Sequence, residues 1–164
     1  MSRVHRLKNI QKMPISLQQA WSFFSDPHNL LLITPPFLNL KVVNKISGKE
    51  IYPGQIILYT VKPLFGIKMQ WMTEITHVDK EKMFVDEQRK GPYRLWHHQL
   101  HFKPTDDGVE MTDIVHYRLP LGILGEMGHG LIVKKKLKHI FEYRHERIRE
   151  LFKLGDEKPV IEMD

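Results

Sequence analysis

A chain of 164 residues, 41% hydrophobic and 27% charged, is long enough for one buried core and ordinary in composition for a globular domain. Its lack of cysteine excludes disulfides and thiol nucleophiles and agrees with a reducing cytoplasm, the expected location. The formal charge of +6 favours an anionic contact. No helix-turn-helix or zinc-finger spacing is present and no aromatics interleave with the lysine run, so a nucleic-acid partner is not expected.

Met1-Ser2-Arg3-Val4-His5-Arg6 has no apolar run behind it, so no secretory signal is expected. The longest apolar run, Leu30 to Ile33, is far short of the ~20 residues that span a bilayer. Val4 to Met13 reads as an edge strand ending at Pro14. Ser16, with glutamine three positions on at Gln19, is a capping-box pattern. It opens a short helix whose buried face is Ala20, Trp21, Phe23 and Phe24. Asp26-Pro27 stops that helix, and Asp26 caps a second through about Ile33, ended by Thr34-Pro35-Pro36.

Between Leu38 and Leu119 the apolar period is close to two, broken by Gly and Pro turns. Leu38, Leu40, Val42 and Ile46 give one strand, and Ile56, Leu58 and Thr60 the next. Met69, Trp71, Thr73 and Ile75 follow, then Met83, Val85, Glu87 and Arg89. Trp96, His98, Leu100 and Phe102 precede the hairpin loop Thr105-Asp106-Asp107-Gly108. Val109, Met111, Asp113, Val115 and Tyr117 leave it. Repeated hairpins imply an antiparallel meander, with the first strand closing against the last ones. Beyond Leu119-Pro120-Leu121-Gly122 the period becomes helical. Val133, Leu137, Ile140, Phe141, Ile148, Leu151 and Phe152 draw one stripe along a helix from about Ile123 to Phe152. One domain over residues 1–152 is expected, with residues 153–164 as a disordered tail.

This order resembles the helix-grip fold of the START/Bet v1-like (SRPBCC) superfamily. Ala20-Trp21-Ser22-Phe23-Phe24-Ser25-Asp26-Pro27 is similar to its first helix and boundary. Leu30 through Pro36, Gly91 through His98 and Asp113 through Gly122 are similar to stretches of bacterial single-domain members related to polyketide cyclases, dehydratases and coenzyme-Q-binding proteins. The resemblance covers roughly residues 3 to 152. It implies an α+β fold in which a curved antiparallel sheet of six or seven strands wraps the long C-terminal helix. It also implies a cavity for a lipid-, polyketide- or quinone-like molecule. It transfers no catalytic motif.

The residues expected to line that cavity are Met69, Trp71, Trp96, Phe102, Met111, Tyr117, Ile140 and Phe141. Polar residues on the same faces are His98 and Asp113. Closing the hairpin across Lys103 to Gly108 sets them directly opposite, ~5 Å apart at Cβ. Such a pair either satisfies two buried groups or orients a general base for cyclase- or dehydratase-type proton transfer. Glu87 and Arg89 either pair at the pocket wall or lie where their strand leaves the core. Arg144, inside the helix stripe, either snorkels or meets an acidic ligand group or an inward carboxylate such as Asp113 or Glu87. A third function class is a peripheral lipid-surface or protein-interaction module using the basic helix face around Lys134 to Lys138. No cofactor is called for. No metal site is expected either, since His97 and His101 share a face but stand ~13 Å apart at ~3.3 Å per residue. The glycines from Gly122 to Gly130 lack dinucleotide spacing and read as a close-packing helix start or a gate.

Overall fold

The computed structural model describes residues 3–63, 66–120, 132–156 and 158–164. In chain order these form β1 (His5–Met13), α1 (Leu17–Phe24), a 3-10 helix (Pro27–Ile33), a 3-10 turn (Pro36–Leu38), β2 (Lys41–Val42), β3 (Ile56–Val61), β4 (Met69–Asp79), β5 (Met83–Lys90), β6 (Leu95–Thr105), β7 (Gly108–Arg118), α2 (Lys134–Phe152) and β8 (Val160–Met163). The strands make one curved antiparallel sheet in the order β2-β3-β4-β5-β6-β7-β1-β8. The described strands thus number eight rather than six or seven. Residues 121–131, including the expected helix start and the whole glycine run from Gly122 to Gly130, lie outside the described residues.

Local chemistry sets the first turns. Ser16 Oγ accepts from the Gln19 amide N–H at 3.1 Å, and Gln19 Oε1 accepts from the Ser16 N–H at 2.9 Å, so the capping box is closed in both directions. Asp26 Oδ1 caps the 3-10 helix through the His28 N–H at 3.0 Å, with Pro27 at its first position. Along β1, His5, Leu7, Asn9, Gln11 and Met13 all point inward.

The β6–β7 hairpin is tighter than the sequence reading. Thr105 pairs with Gly108 across a two-residue turn, so Phe102 faces Met111, Leu100 faces Asp113 and His98 faces Val115. Gly108 sits at φ +145, and a Cβ there would meet Met13 O at 2.2 Å. The close crossing of β1's end therefore requires glycine and holds the turn short. The register also sets Lys103 against Glu110 on the outer face.

The tail does not match the expected disorder. Lys153, at φ 54, ends α2 in the left-handed conformation, and β8 returns to pair with β1. Ile161 and Met163 pack against the cluster containing Leu7 and Val115. Lys134 Nζ donates to Met163 O at 3.0 Å, and the Arg6 N–H donates to Asp164 Oδ1 at 2.7 Å. Gly155 and Pro159 suggested a loose end, but they only mark the turn before four residues that alternate in burial.

Candidate functional site

The interior between sheet and α2 is divided. Under α1 it is solid: Trp21 meets Phe84 and Phe102 edge-on, with ring centroids 6.2 and 5.7 Å apart. Trp21 Nε1–H donates to Glu50 Oε1 at 2.8 Å. Met13, Val109 and Met111 fill the same cluster and are at most 1% exposed. Towards the other end lies a cavity of about 220 Å³ between β3–β6 and the inner face of α2. Its walls are mainly apolar: Ile57 and Val61 from β3, Trp71 and Ile75 from β4, Leu137 and Ile140 from α2. Trp71, Tyr93 and Trp96 form one aromatic corner, with centroid distances of 5.3, 5.8 and 4.8 Å among them.

A row of polar side chains crosses this apolar space. His98 Nδ1 lies 2.8 Å from Asp86 Oδ1, and His98 Nε2 lies 2.9 Å from Asp113 Oδ1. Asp113 is fully buried; its Oδ2 accepts from Asn9 Nδ2 at 3.0 Å, and Arg144 Nη2 stands 3.3 Å from its Oδ1. The Arg144 guanidinium lies over the rings of Phe24 and Phe141, 5.8 and 6.0 Å from their centroids, so this arginine is held inside and does not snorkel. Its Nε has no hydrogen-bond partner among the described residues. Tyr59 and Thr73 add hydroxyl-bearing side chains to the cavity wall.

Each ring nitrogen of His98 faces a carboxylate oxygen, so the imidazolium, which donates from both, is the form that fits. Burial alone would lower the His98 pKa. The charge of Asp86, the hydrogen bonds to Asp113 and Asp86 and the charge of Asp113 outweigh it and raise the pKa to about 9. Asp113 is pulled the other way. Burial would raise its pKa, but the charge of Arg144 and the contacts from His98 and Asn9 hold it below the ordinary value of 3.8. Tyr59 is pushed well above the usual phenol range by burial and by the Asp86 charge, so its hydroxyl stays protonated.

Of the residues named from sequence, Trp71, Trp96, His98, Ile140, Phe141 and Arg144 stand on the cavity wall. Asp113 lies one layer behind it, reached through His98 and Arg144. Although His98 is two positions out of the expected register, Asp113 is its diagonal neighbour on the same face, within reach of an imidazole. Four expected wall residues do not line the cavity. Phe102 and Met111 belong to the solid cluster, Tyr117 is fully buried against Tyr93 and Trp96, and Met69 sits at the exposed start of β4.

Glu87 is a correction of face. It points outward, bonding Arg89 Nη1 at 3.0 Å and His97 Nδ1 at 2.7 Å, while Phe84 and Asp86 line the cavity. The extra residue of the β4–β5 ladder between Ile75 and His77 lies in β4, and the face of β5 is set by its partner β6: Phe84 pairs with Leu100 and Asp86 with His98, both inward. β3 is inverted in the same way: Ile57, Tyr59 and Val61 are buried, and Ile56 is exposed. The missed residues, Tyr59, Thr73, Asp86, Tyr93 and Asn9, follow mostly from these faces. For Asp86 the available signal was its place two positions after Phe84, the largest apolar side chain of β5.

On the helix exterior, much of the basic charge is paired locally: Lys138 with Glu142, Arg147 with Glu150, and Arg149 with Glu146 and Asp156. Among the described residues no helix is long and apolar enough to cross a membrane, and no group of three or more His, Asp or Glu could hold a metal ion.

No family model matches the chain, and no curated protein sequence does. Solved structures do. Protein Ms6760 from Mycobacterium smegmatis is 18% identical, with 90% of each chain covered and a TM-score of 0.64. Protein CV1439 from Chromobacterium violaceum is 12% identical over 92% of this chain and 99% of its own, with a TM-score of 0.68. Ara h 8.0201 is 14% identical over 90% of this chain and 99% of its own, with a TM-score of 0.54. The chain has the START/Bet v1-like helix-grip fold. At these identities the likeness defines the scaffold, and the side chains that line the helix-grip cavity are this chain's own.

Proposed function

We propose that this protein binds a hydrophobic or aromatic small molecule, lipid-, polyketide- or quinone-like in character, in the cavity between the sheet and α2, and does so in the cytoplasm. The cavity itself carries the proposal. An engineered apolar cavity of about 150 Å³ accepts benzene. A space of about 220 Å³ walled by Trp71, Tyr93, Trp96 and aliphatic side chains suits a somewhat larger flat or branched apolar group. The helix-grip scaffold supports the same reading.

The cyclase or dehydratase alternative gains no comparable support. It needs His98 to take a proton, and an imidazolium donating to both Asp86 and Asp113 has no free lone pair. For the lipid-surface alternative, Lys138 is paired with Glu142, Lys134 donates to Met163 O and Lys136 stands over the Phe37 ring, which leaves less of that face free for headgroups. The test is native mass spectrometry of the purified chain, followed by extraction and identification of any bound compound. A co-purified apolar molecule, or uptake of one from a mixed panel, is the expected result. A chain that stays bare against every apolar candidate contradicts the proposal.

A further inference from the structure

The cavity's polar row also bears on the ligand's functional group. This inference rests on the binding proposed above and goes on to the chemistry of the bound molecule.

Four ionisable side chains meet at the row. Asp86 and Asp113 supply two negative charges; Arg144 and the doubly hydrogen-bonded His98 supply two positive ones, so the sum is zero. Both positive groups are already committed to Asp113, the most deeply buried member. Two carboxylates line the cavity wall itself: Asp26, whose Oδ1 is engaged by the His28 N–H and ring, and Asp86. Asp86 Oδ1 takes His98, and among the described residues no other donor engages its Oδ2. Around it stand Tyr59 and Thr73, whose hydroxyls have no hydrogen bond to another described residue, and Tyr59 feels the Asp86 charge. An anionic ligand group placed against Asp86 would face a carboxylate in a low-dielectric space, because the remaining cation of the wall, Lys136, holds its Nζ over the Phe37 ring, 5.1 Å from the centroid. A neutral hydroxyl would find an acceptor in Asp86 Oδ2, and donors in the Tyr59 and Thr73 hydroxyls for its own lone pairs.

We propose that the cavity selects a neutral hydroxyl-bearing aromatic or alicyclic molecule, a phenol or alcohol whose O–H donates to Asp86, and discriminates against the corresponding carboxylate. Of the partners open to Arg144, the inward carboxylate of Asp113 is its counter-ion, and an acidic ligand group is not needed.

The test uses two probes of one ring size, 2-naphthol and 2-naphthoate, each displacing an environment-sensitive apolar dye from the full chain at pH 7. The expected result is at least tenfold tighter binding of 2-naphthol, with the preference falling to within about threefold in Asp86→Asn. Tyr59→Phe is expected to weaken 2-naphthol several-fold while leaving 2-naphthoate unchanged. Equal or tighter binding of 2-naphthoate to the unmodified chain overturns the inference while leaving the binding proposal intact. A dye that does not bind at all removes both. The preference is read on the unmodified chain, so an Asp86→Asn variant that fails to fold leaves the test decisive.

Discussion

The two parts of the interior are built from similar residues and do different things. Under α1, Trp21, Phe102 and Met111 are buried in one cluster, with Phe24 between it and the cavity, and the burial of that cluster stabilises the fold. Below α2, Trp71, Tyr93, Trp96 and Ile140 meet at their edges and leave about 220 Å³ open. The difference lies in what covers the sheet. α1 brings a tryptophan and a phenylalanine down onto β5 and β6. α2 presents Leu137 and Ile140 where it faces the hollow, then Arg144, whose charge has to be neutralised. Aromatic content alone does not make a pocket; the shape of the opposing layer does.

That contrast can be broken at the solid end first. Phe102→Ala is expected to cost about 3–5 kcal/mol of folding stability in urea unfolding, with a smaller change in dye affinity, since it removes packing and is not itself a wall residue. Asp113→Asn keeps the shape and the Asn9 contact but leaves His98 and Arg144 without their shared counter-charge. A loss of about 3–5 kcal/mol is expected, visible in the same assay.

The pH profile sharpens the comparison, because the titrating groups sit at the cavity. His98 has its folded pKa raised from 6.5 to about 9. Its stabilising contribution is therefore whole below pH 6.5 and is lost as pH rises through 9, on the order of 3 kcal/mol in all. Asp113 is shifted down, so its contribution is present above pH 3.8 and is lost only as pH falls further. Unfolding free energy measured from pH 6 to 10 should decline, and the decline should be much smaller in His98→Gln. The smallest stability effect is at the hollow end. Trp71→Phe, on the cavity wall, is expected to cost about 1 kcal/mol while changing ligand affinity more than stability.

Much of the architecture was legible because local and global signals agreed. The capping box at Ser16 and Gln19, the Asp26 cap, the alternation in β6 and β7, and the stripe through Leu137, Phe141 and Ile148 all appear as read, whereas β1, expected at an edge, lies between β7 and β8. The site was legible only where alternation was clean. His98, Asp113 and Arg144 were found because each interrupts an apolar face. Asp86 was missed because Phe84 and Val85 are both apolar and buried, so β5 offered two candidate faces, and pairing with the inward Leu100 and His98 of β6 turned Phe84 and Asp86 inward. β3, reading IILYTV, is apolar on both sides, and the parity read from Ile56, Leu58 and Thr60 was the wrong one. The cavity walls were misjudged at Phe102 and Met111 for a different reason. Sequence shows which residues face inward, but not which of them another layer reaches.

The central claim, that the space below α2 is a binding cavity, is tested most directly by titrating an environment-sensitive apolar dye into the unmodified chain and into Ile140→Trp, which fills the space from the helix side. Saturable binding to the unmodified chain, weakened at least tenfold in a variant of equal stability, is the predicted result. Equal affinity in both, or no binding to either, would contradict the account.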